Sequence, residues 1–416
     1  MDILDPASLR DYLGAIANVR ARLGPQPAAW RIREVGDGNL NLVFIVEGPD
    51  GSVCVKQALP YVRAAGPSWP MSPDRIFFEQ AYFEAVAPYV GARIPAIHHF
   101  DRERYCLVME RLSPHIILRH GLIAGRQYPA LARDMGDYVA RACFFTSDLA
   151  WPFERKLSGM ALFAANLPLL RITVDLVFKD PYRVSARNRH TAPQLDAFAA
   201  AIRADAPLKL AAARFGQKFL NQPEALIHGD LHSGSVMVTE TDTRVIDPEF
   251  AFYGPIGFDL GAFFGNLLLS WYSQAGHATS NDDRSAYRDW ILEQLKAFWD
   301  AFRTRYLSFW NKHAAGDAFP SDLFQAPADR AALETAQRAQ MQALFADMLG
   351  FAACKMIRRI VGFAHVIDLE AIPDPQRRAG CEARALAMAR LLLRQPERFV
   401  SMTDVIDAVP RVTADP

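Results

Sequence analysis

The apolar residues of this 416-residue chain change their period near residue 112, and that change limits the folds open to it. Before it, short alternating runs predict strands. Segments 40–46 and 52–56 flank Gly48-Pro49-Asp50-Gly51, a hairpin turn, and segments 96–100 and 105–109 flank Asp101-Arg102-Glu103. Helical spacing appears over 6–23, stopped by Gly24-Pro25, and over 74–89, started at Ser72-Pro73. After Glu110-Arg111-Leu112 the helical period dominates, over 129–146, 161–178, 193–204, 208–220, 258–273, 285–309, 328–366 and 376–394. Two short β segments, 235–238 and 243–246, interrupt it as a hairpin. The expectation is an α+β chain of two unequal lobes. Residues 1–110 form a small lobe with an antiparallel sheet and one main helix, and residues 111–416 a larger, mostly helical lobe. Segment 315–327 is expected as a flexible surface loop and 409–416 as a frayed tail.

Charge narrows the function classes. Acidic and basic residues balance at 46 each, so no overall field draws the chain to nucleic acid or an anionic membrane. An anionic ligand must be met by local groups. The five cysteines are scattered and none forms a Cys-x-x-Cys pair, which fits reduced thiols in the cytoplasm better than a disulfide or zinc framework. The first residues lack a basic stretch leading into an apolar one, and the run 260–272 is too short to span a bilayer.

The chemistry is concentrated in two acidic motifs a hairpin apart, His228-Gly229-Asp230-Leu231-His232 and Asp247-Pro248-Glu249. Asp230 follows the apolar run Ala225-Leu226-Ile227 on a loop, where a carboxylate can orient a hydroxyl and accept its proton. His228 and His232 suit loop-bracing hydrogen bonds better than a helical metal site, because Gly229 lies between them. Asp247 and Glu249, two apart at the end of a strand, face one way and can share an oxygen-preferring divalent cation. Upstream, Gly36 and Gly38 let a backbone turn approach phosphates, although Asp37-Gly38-Asn39 also suits an ordinary turn. Lys56 ends an apolar strand, with reach to a polyphosphate, and Glu79 on the next helix can hold it extended. Arg358 and Arg359 lie within a long apolar helix, so a buried guanidinium there calls for an anion or a structural ion pair. Gly66-Pro67-Ser68-Trp69-Pro70 makes an aromatic loop suited to a lid or to a rigid surface turn.

Taken in order, the glycine turn, strand lysine, helix glutamate, His-Gly-Asp loop and strand-end acidic pair resemble the protein-kinase-like fold, in its aminoglycoside phosphotransferase and choline kinase branch. That branch usually carries an asparagine a few residues after the catalytic aspartate, and here Ser235 stands in its place. With Val55-Lys56-Gln57-Ala58-Leu59-Pro60-Tyr61-Val62-Arg63, Ser68-Trp69-Pro70-Met71, Asp247-Pro248-Glu249-Phe250 and Ile357-Arg358-Arg359-Ile360, the chain is similar to the methylthioribose kinase family over roughly residues 34–369. The resemblance implies ATP and Mg²⁺ as cofactors and phosphorylation of the C1 hydroxyl of a 5-methylthiopentose. It implies Asp230 as base and sugar contact, Gly36, Gly38, Asn41 and Lys56 at ATP, and the backbone of Glu110, Arg111 and Leu112 at adenine. Asp247 and Glu249 would hold metal with Pro248 beside them at the cofactor, Arg358 and Arg359 would approach substrate, the Trp69 loop would close over it, and the chain would form a homodimer. Arg111 departs from the acidic residue expected there. Two alternatives stay open: a kinase for another 5-modified pentose such as 5-deoxyribose, and a nucleotide-binding pseudokinase, which Ser235 favours.

Overall fold

Helix formation starts at Asp5, whose carboxylate accepts the Ala7 and Ser8 amides just ahead of α1 (Pro6–Ala15). The single helix expected over 6–23 is two: Ile16 is extended, and α2 (Ala17–Leu23) follows at a new angle with Arg20 Nη1 donating to the Gly14 carbonyl at 3.0 Å. The computed structural model describes residues 2–36, 40–63 and 66–414.

Five strands form one antiparallel sheet in the order β1-β2-β3-β5-β4: β1 (Arg31–Glu34), β2 (Asn41–Gly48), β3 (Gly51–Ala58), β4 (Ile97–Asp101) and β5 (Cys106–Glu110). The β2–β3 hairpin turns at Pro49-Asp50 with Gly48 opposite Gly51. Its register sorts the side chains by face. Phe44, Val46, Val53, Val55 and Val108 pack with Leu9, Leu13, Val19 and Leu23 of α1 and α2. Lys56 therefore leaves β3 on the opposite face, toward α3 (Arg75–Val90).

The remainder is mostly helical. After β6 (Ile116–Ile117) come α4 (Leu118–Ile123), α5 (Leu131–Phe144), α6 (Phe153–Phe163), α7 (Leu167–Phe178), α8 (Asp196–Ala204) and α9 (Ala206–Asn221). Four short strands, β7 (Ala225–Ile227), β8 (Val236–Val238), β9 (Thr243–Val245) and β10 (Phe252–Gly254), make two small sheets, β6-β8-β9 and β10-β7. Then follow α10 (Ile256–His277), α11 (Ser285–His313), α12 (Pro327–Val361), α13 (Ile367–Glu370), α14 (Pro375–Arg394) and α15 (Met402–Ala408). The helix expected over 161–178 is interrupted between α6 and α7. Pro168 cannot donate in the first turn of α7, and the buried Asn166 amide donates instead to the Glu249 and Ala251 carbonyls at 2.9 and 3.1 Å.

Packing of α10 on α12 positions the chemistry. Gly261 lets the backbones close up, since a Cβ there would lie 2.6 Å from the Met348 carbonyl oxygen. That seam brings the buried Lys355, Arg358 and Arg359 of α12 alongside the loop that follows β7. All five cysteines are free thiols. Among the described residues no single helix is long and apolar enough to cross a membrane.

Candidate active site

The loop after β7 is held by its own neighbours. Asp259, in the first turn of α10, accepts the His228 amide at 2.6 Å and the Gly229 amide at 3.0 Å. Gly229 has φ of 81°, and a Cβ there would lie 2.2 Å from the Phe250 carbonyl oxygen, so only glycine fits. His228 Nε2 faces the Ile246 carbonyl at 2.9 Å, which puts its proton on Nε2 and leaves Nδ1 facing the Asp230 amide at 3.3 Å. Both contacts brace the loop. Ser235 donates its hydroxyl to the Asp230 carbonyl at 3.0 Å and its carbonyl accepts the Ile246 amide at 3.0 Å. Ile246 is thus bonded on both sides to the segment carrying Asp230, and Asp247 is the next residue.

Asp230 keeps 20% of its side chain open and meets a donor at each oxygen. Lys355 Nζ donates to Oδ1 at 2.8 Å, and His232 Nε2 lies 3.3 Å from Oδ2. Burial alone would raise its pKa, yet the charges of Lys355 and the contact with His232 hold the carboxyl well below the usual carboxylate range. Burial outweighs the pull of Asp230 on the partner ring, so His232 falls to about 3 and is neutral at physiological pH.

A second cluster lies across the junction. Lys56 Nζ meets Glu79 Oε2 at 2.5 Å and also meets Asp247 Oδ1. Carboxylate oxygens of Glu79, Asp247 and Glu249 all lie within 4.8 Å of one another. The two acids of the motif do not converge through strand parity, because β9 ends at Val245 and Asp247 has φ of 68°. A left-handed residue turns Asp247 toward Lys56, with 45% of its side chain exposed, while Glu249 is buried. Glu249 Oε2 accepts from Asn41 Nδ2 at 2.8 Å and lies 3.4 Å from Arg75 Nε. Arg75 is itself fixed by Asn41 Oδ1 and the carbonyls of Leu40, Leu59 and Ser72. Burial pushes Glu79 upward against the pull of Lys56, and raises Glu249 in the same way. Three carboxylates face two fixed cations, Lys56 and Arg75, and this hard-oxygen set with one charge in excess fits a divalent cation such as Mg²⁺.

The other predicted residues fall around these clusters. Gly36 is exposed, and its carbonyl accepts from Arg63 Nη1 at 3.3 Å, while Gly38 lies outside the described residues. The Asn41 side-chain amide is committed to Glu249 and Arg75. Glu110 ends β5 and its carboxylate accepts the Ala96 amide at 3.1 Å; Arg111 turns back to Glu47, and Leu112 is half-buried. Trp69 sits in a loop closed by the Tyr61–Pro70 bridge, and its ring lies 5.5 Å from that of Phe363, just past α12. Around it Val62, Met71, Leu169 and Ile172 join the loop to α7. Arg358 and Arg359 are buried and each has an Nε without a hydrogen-bond partner; Arg359 Nη1 donates to the Ala364 carbonyl at 2.8 Å.

Lys355, Arg75 and Arg119 were not singled out from sequence. Lys355 shares one helix face with the predicted Arg358 and Arg359 by i, i+3, i+4 spacing, a signal that was available. Arg75 and Arg119 carried none. Arg119 donates to Ser233 Oγ at 3.0 Å, to His232 Nδ1 at 3.2 Å and to Asn266 Oδ1 at 3.2 Å, all remote in sequence.

The pattern of the phosphotransferase enzyme family matches residues 31–308. A solved glucosamine kinase, in complex with glucosamine, ADP and inorganic phosphate, superposes with a TM-score of 0.47 at 16% identity, covering 95% of this chain and 87% of that one. Methylthioribose kinase 1 of Oryza sativa subsp. japonica is 47% identical over 406 residues, 97% of this chain and 94% of the rice protein. The methylthioribose kinase of Escherichia coli O45:K1 is 43% identical over 402 residues, 96% of each chain. The chain belongs to the phosphotransferase enzyme family and, within it, to the methylthioribose kinases.

Proposed function

We propose that this chain transfers the γ-phosphoryl group of ATP to the C1 hydroxyl of S-methyl-5-thioribose, giving S-methyl-5-thioribose 1-phosphate in methionine salvage. The observation that carries this reading is the joining of the Asp230 loop and the Lys56–Asp247–Glu249 cluster at Ile246, in a chain of the methylthioribose kinase family.

Residues 1–110 hold the nucleotide and 111–416 the base and the sugar. Lys56, held by Glu79, meets the α- and β-phosphates, and Gly36, Gly38 and Asn41 lie at ATP beside it, the Asn41 side chain being engaged elsewhere. Glu110, Arg111 and Leu112 offer backbone groups to adenine. Asp247 and Glu249, with Pro248 between them, would hold Mg²⁺ beside Glu79, and a bound ion would supply positive charge to the phosphate oxygens. Asp230 orients the C1 hydroxyl and takes its proton. Because phosphoryl transfer passes through a loose transition state, orientation matters more than base strength, which suits a carboxyl of low pKa. Arg358 and Arg359 turn their unpartnered guanidinium edges toward the sugar and the transferred group. Trp69 with Phe363 closes an apolar wall over the 5-substituent. The working form is a cytoplasmic homodimer.

An ATP-consumption assay over a panel of sugars tests the substrate: methylthioribose is expected to give the highest kcat/KM, and preference for 5-deoxyribose would overturn the assignment. Asp230→Asn is expected to abolish turnover while ATP still binds. The pseudokinase reading rests on Ser235, and measurable turnover by the wild-type chain removes it.

A further inference from the structure

Lys355 is an ammonium buried to 4% side-chain exposure on α12. Among the described residues its one hydrogen-bond acceptor is Asp230 Oδ1, at 2.8 Å. On its other side lies the Phe258 ring, 4.4 Å from Nζ. The opposite oxygen of Asp230 is also held. His232 Nδ1 accepts from the Gly234 amide at 2.8 Å and faces Arg119 Nη2 at 3.2 Å, so the neutral ring keeps its proton on Nε2, which points at Asp230 Oδ2 at 3.3 Å. A buried ion pair is a weak source of stability compared with apolar packing. Its position on the proposed base, in a helix drawn in by the Gly261 seam, points to a role in the reaction.

We propose that Lys355 is a positioning residue for phosphoryl transfer: its ammonium pins the Asp230 carboxylate through Oδ1, so that Oδ2, which meets His232 with one lone pair, turns its other lone pair to the sugar hydroxyl. This rests on the reading of Asp230 as the base. As the C1 oxygen bonds to the γ-phosphorus, the bond from that phosphorus to the ADP oxygen breaks and its electron pair leaves on ADP. The hydroxyl proton passes to Asp230, and Lys355 keeps its own proton. The electrostatics agree. Burial pulls Lys355 down to about 8, Asp230 holds it up, and Arg358 and Arg359 on its own helix lower it further. Asp259 on α10 and His232 and Arg119 on the far side of Asp230 complete the charged or titratable surroundings.

The test uses the full chain with ATP, Mg²⁺ and methylthioribose, in wild type, Lys355→Met, Lys355→Arg and Asp230→Asn. Lys355→Met keeps the apolar stem against Phe258. It is expected to fold with a Tm a few degrees below wild type, because a buried carboxylate loses its ion-pair partner, to keep the KM for ATP, to lose about 10²-fold in kcat through misplacement of the carboxylate, and to move the acid limb of the kcat profile to higher pH, because Asp230 loses the cation that holds it ionised. Lys355→Arg keeps a cation that does not titrate; it is expected to return the acid limb to its wild-type position and to remove an alkaline limb near pH 8. A folded Lys355→Met with an unmoved acid limb, or with its loss confined to KM for ATP, overturns the proposal. Should Lys355→Met fail to fold, an alkaline limb unmoved in Lys355→Arg overturns it equally. Turnover retained by Asp230→Asn sinks the reading of the base itself, whereas a dead Asp230→Asn beside an unaltered Lys355→Met sinks only the role of Lys355.

Discussion

Replacing Asp259 by Asn isolates the clamp on the His-Gly-Asp loop. Its carboxylate is 2% exposed and accepts two backbone amides, at 2.6 and 3.0 Å. An asparagine offers one oxygen, so one amide loses its acceptor and faces an NH₂ group. A hydrogen bond to a charged group contributes about 1.5–3 kcal/mol, and leaving its donor unpaired in the interior costs about 1–3 kcal/mol. Part of that is offset, because burial already raises the Asp259 pKa and its ionised form carries a desolvation cost that asparagine lacks. A net loss of about 2–4 kcal/mol follows. At roughly 2 cal/mol/K of unfolding entropy per residue, 416 residues unfolding together give about 0.9 kcal/mol/K. The Tm should therefore fall by only about 2–4 °C. The effect on kcat should be far larger, about 10²-fold, since Gly229 and Asp230 shift by a fraction of an ångström once the clamp is gone. Calorimetry and the ATP-consumption assay, run on one preparation, separate the two. Wild-type kcat in a variant that has lost its 2–4 °C would refute the idea that Asp259 sets the position of Asp230.

Other outcomes follow from single contacts. Gly261→Val should drive α10 and α12 apart, because a Cβ already lies 2.6 Å from the Met348 carbonyl; overpacking of about 1–3 kcal/mol predicts a lower Tm and weaker sugar binding, and an unchanged KM for the sugar would contradict it. Trp69→Ala should raise KM for methylthioribose about tenfold by removing its ring from Phe363, as expected for an apolar contact of this size, and leave KM for ATP alone. Glu382, 1% exposed and raised to about 7 by burial, gives a pH prediction. Its folded pKa lies above its ordinary value of 4.5, so its stabilising contribution is complete below pH 4.5 and is lost as pH rises through 7. Glu382→Gln should therefore match wild-type Tm at pH 5 and exceed it at pH 8, which thermal melts at the two pH values check directly.

Much of the frame was legible because it rests on local periodicity. The β2–β3 hairpin follows from alternation and Pro49-Asp50, and the parity of β3 sends Lys56 toward α3, where Glu79 waits one helix away. Helix ends were less legible. At the break between α6 and α7, Asn166 makes tertiary hydrogen bonds to the Glu249 and Ala251 carbonyls, which no window of sequence contains, and the extended Ile16 between α1 and α2 carried no breaking residue to mark it. Strand parity predicts that Asp247 and Glu249 face one way, yet the orientation of Asp247 is set by its own left-handed backbone beyond the end of β9. Arg75 and Arg119 escaped notice for the same reason: their acceptors are carbonyls and side chains scattered over distant segments.

The two acidic clusters are held in opposite electrostatic states, and that difference accounts for how one cleft can serve both a proton and a polyphosphate. Asp230 faces Lys355, Arg358 and Arg359 of α12, so its charge is favoured despite burial. Glu79 and Glu249 are raised by burial although Lys56 and Arg75 lie beside them, so their charge is incompletely met by the protein. Were the first site also short of cations, Asp230 would take up a proton before substrate arrived. Were the second fully neutralised, it would have no reason to attract a divalent ion along with ATP. The helix α12 supplies the cations of the first site and α3 with β3 those of the second, so the partition is built from elements on either side of the Ile246 junction. A variant that removes one cation from the second cluster, Lys56→Met, leaves two carboxylates in excess instead of one and should bind divalent cation more tightly while losing ATP affinity; isothermal titrations of Mg²⁺ and of ATP in which both affinities fall together would show that the two clusters do not divide the charge in this way.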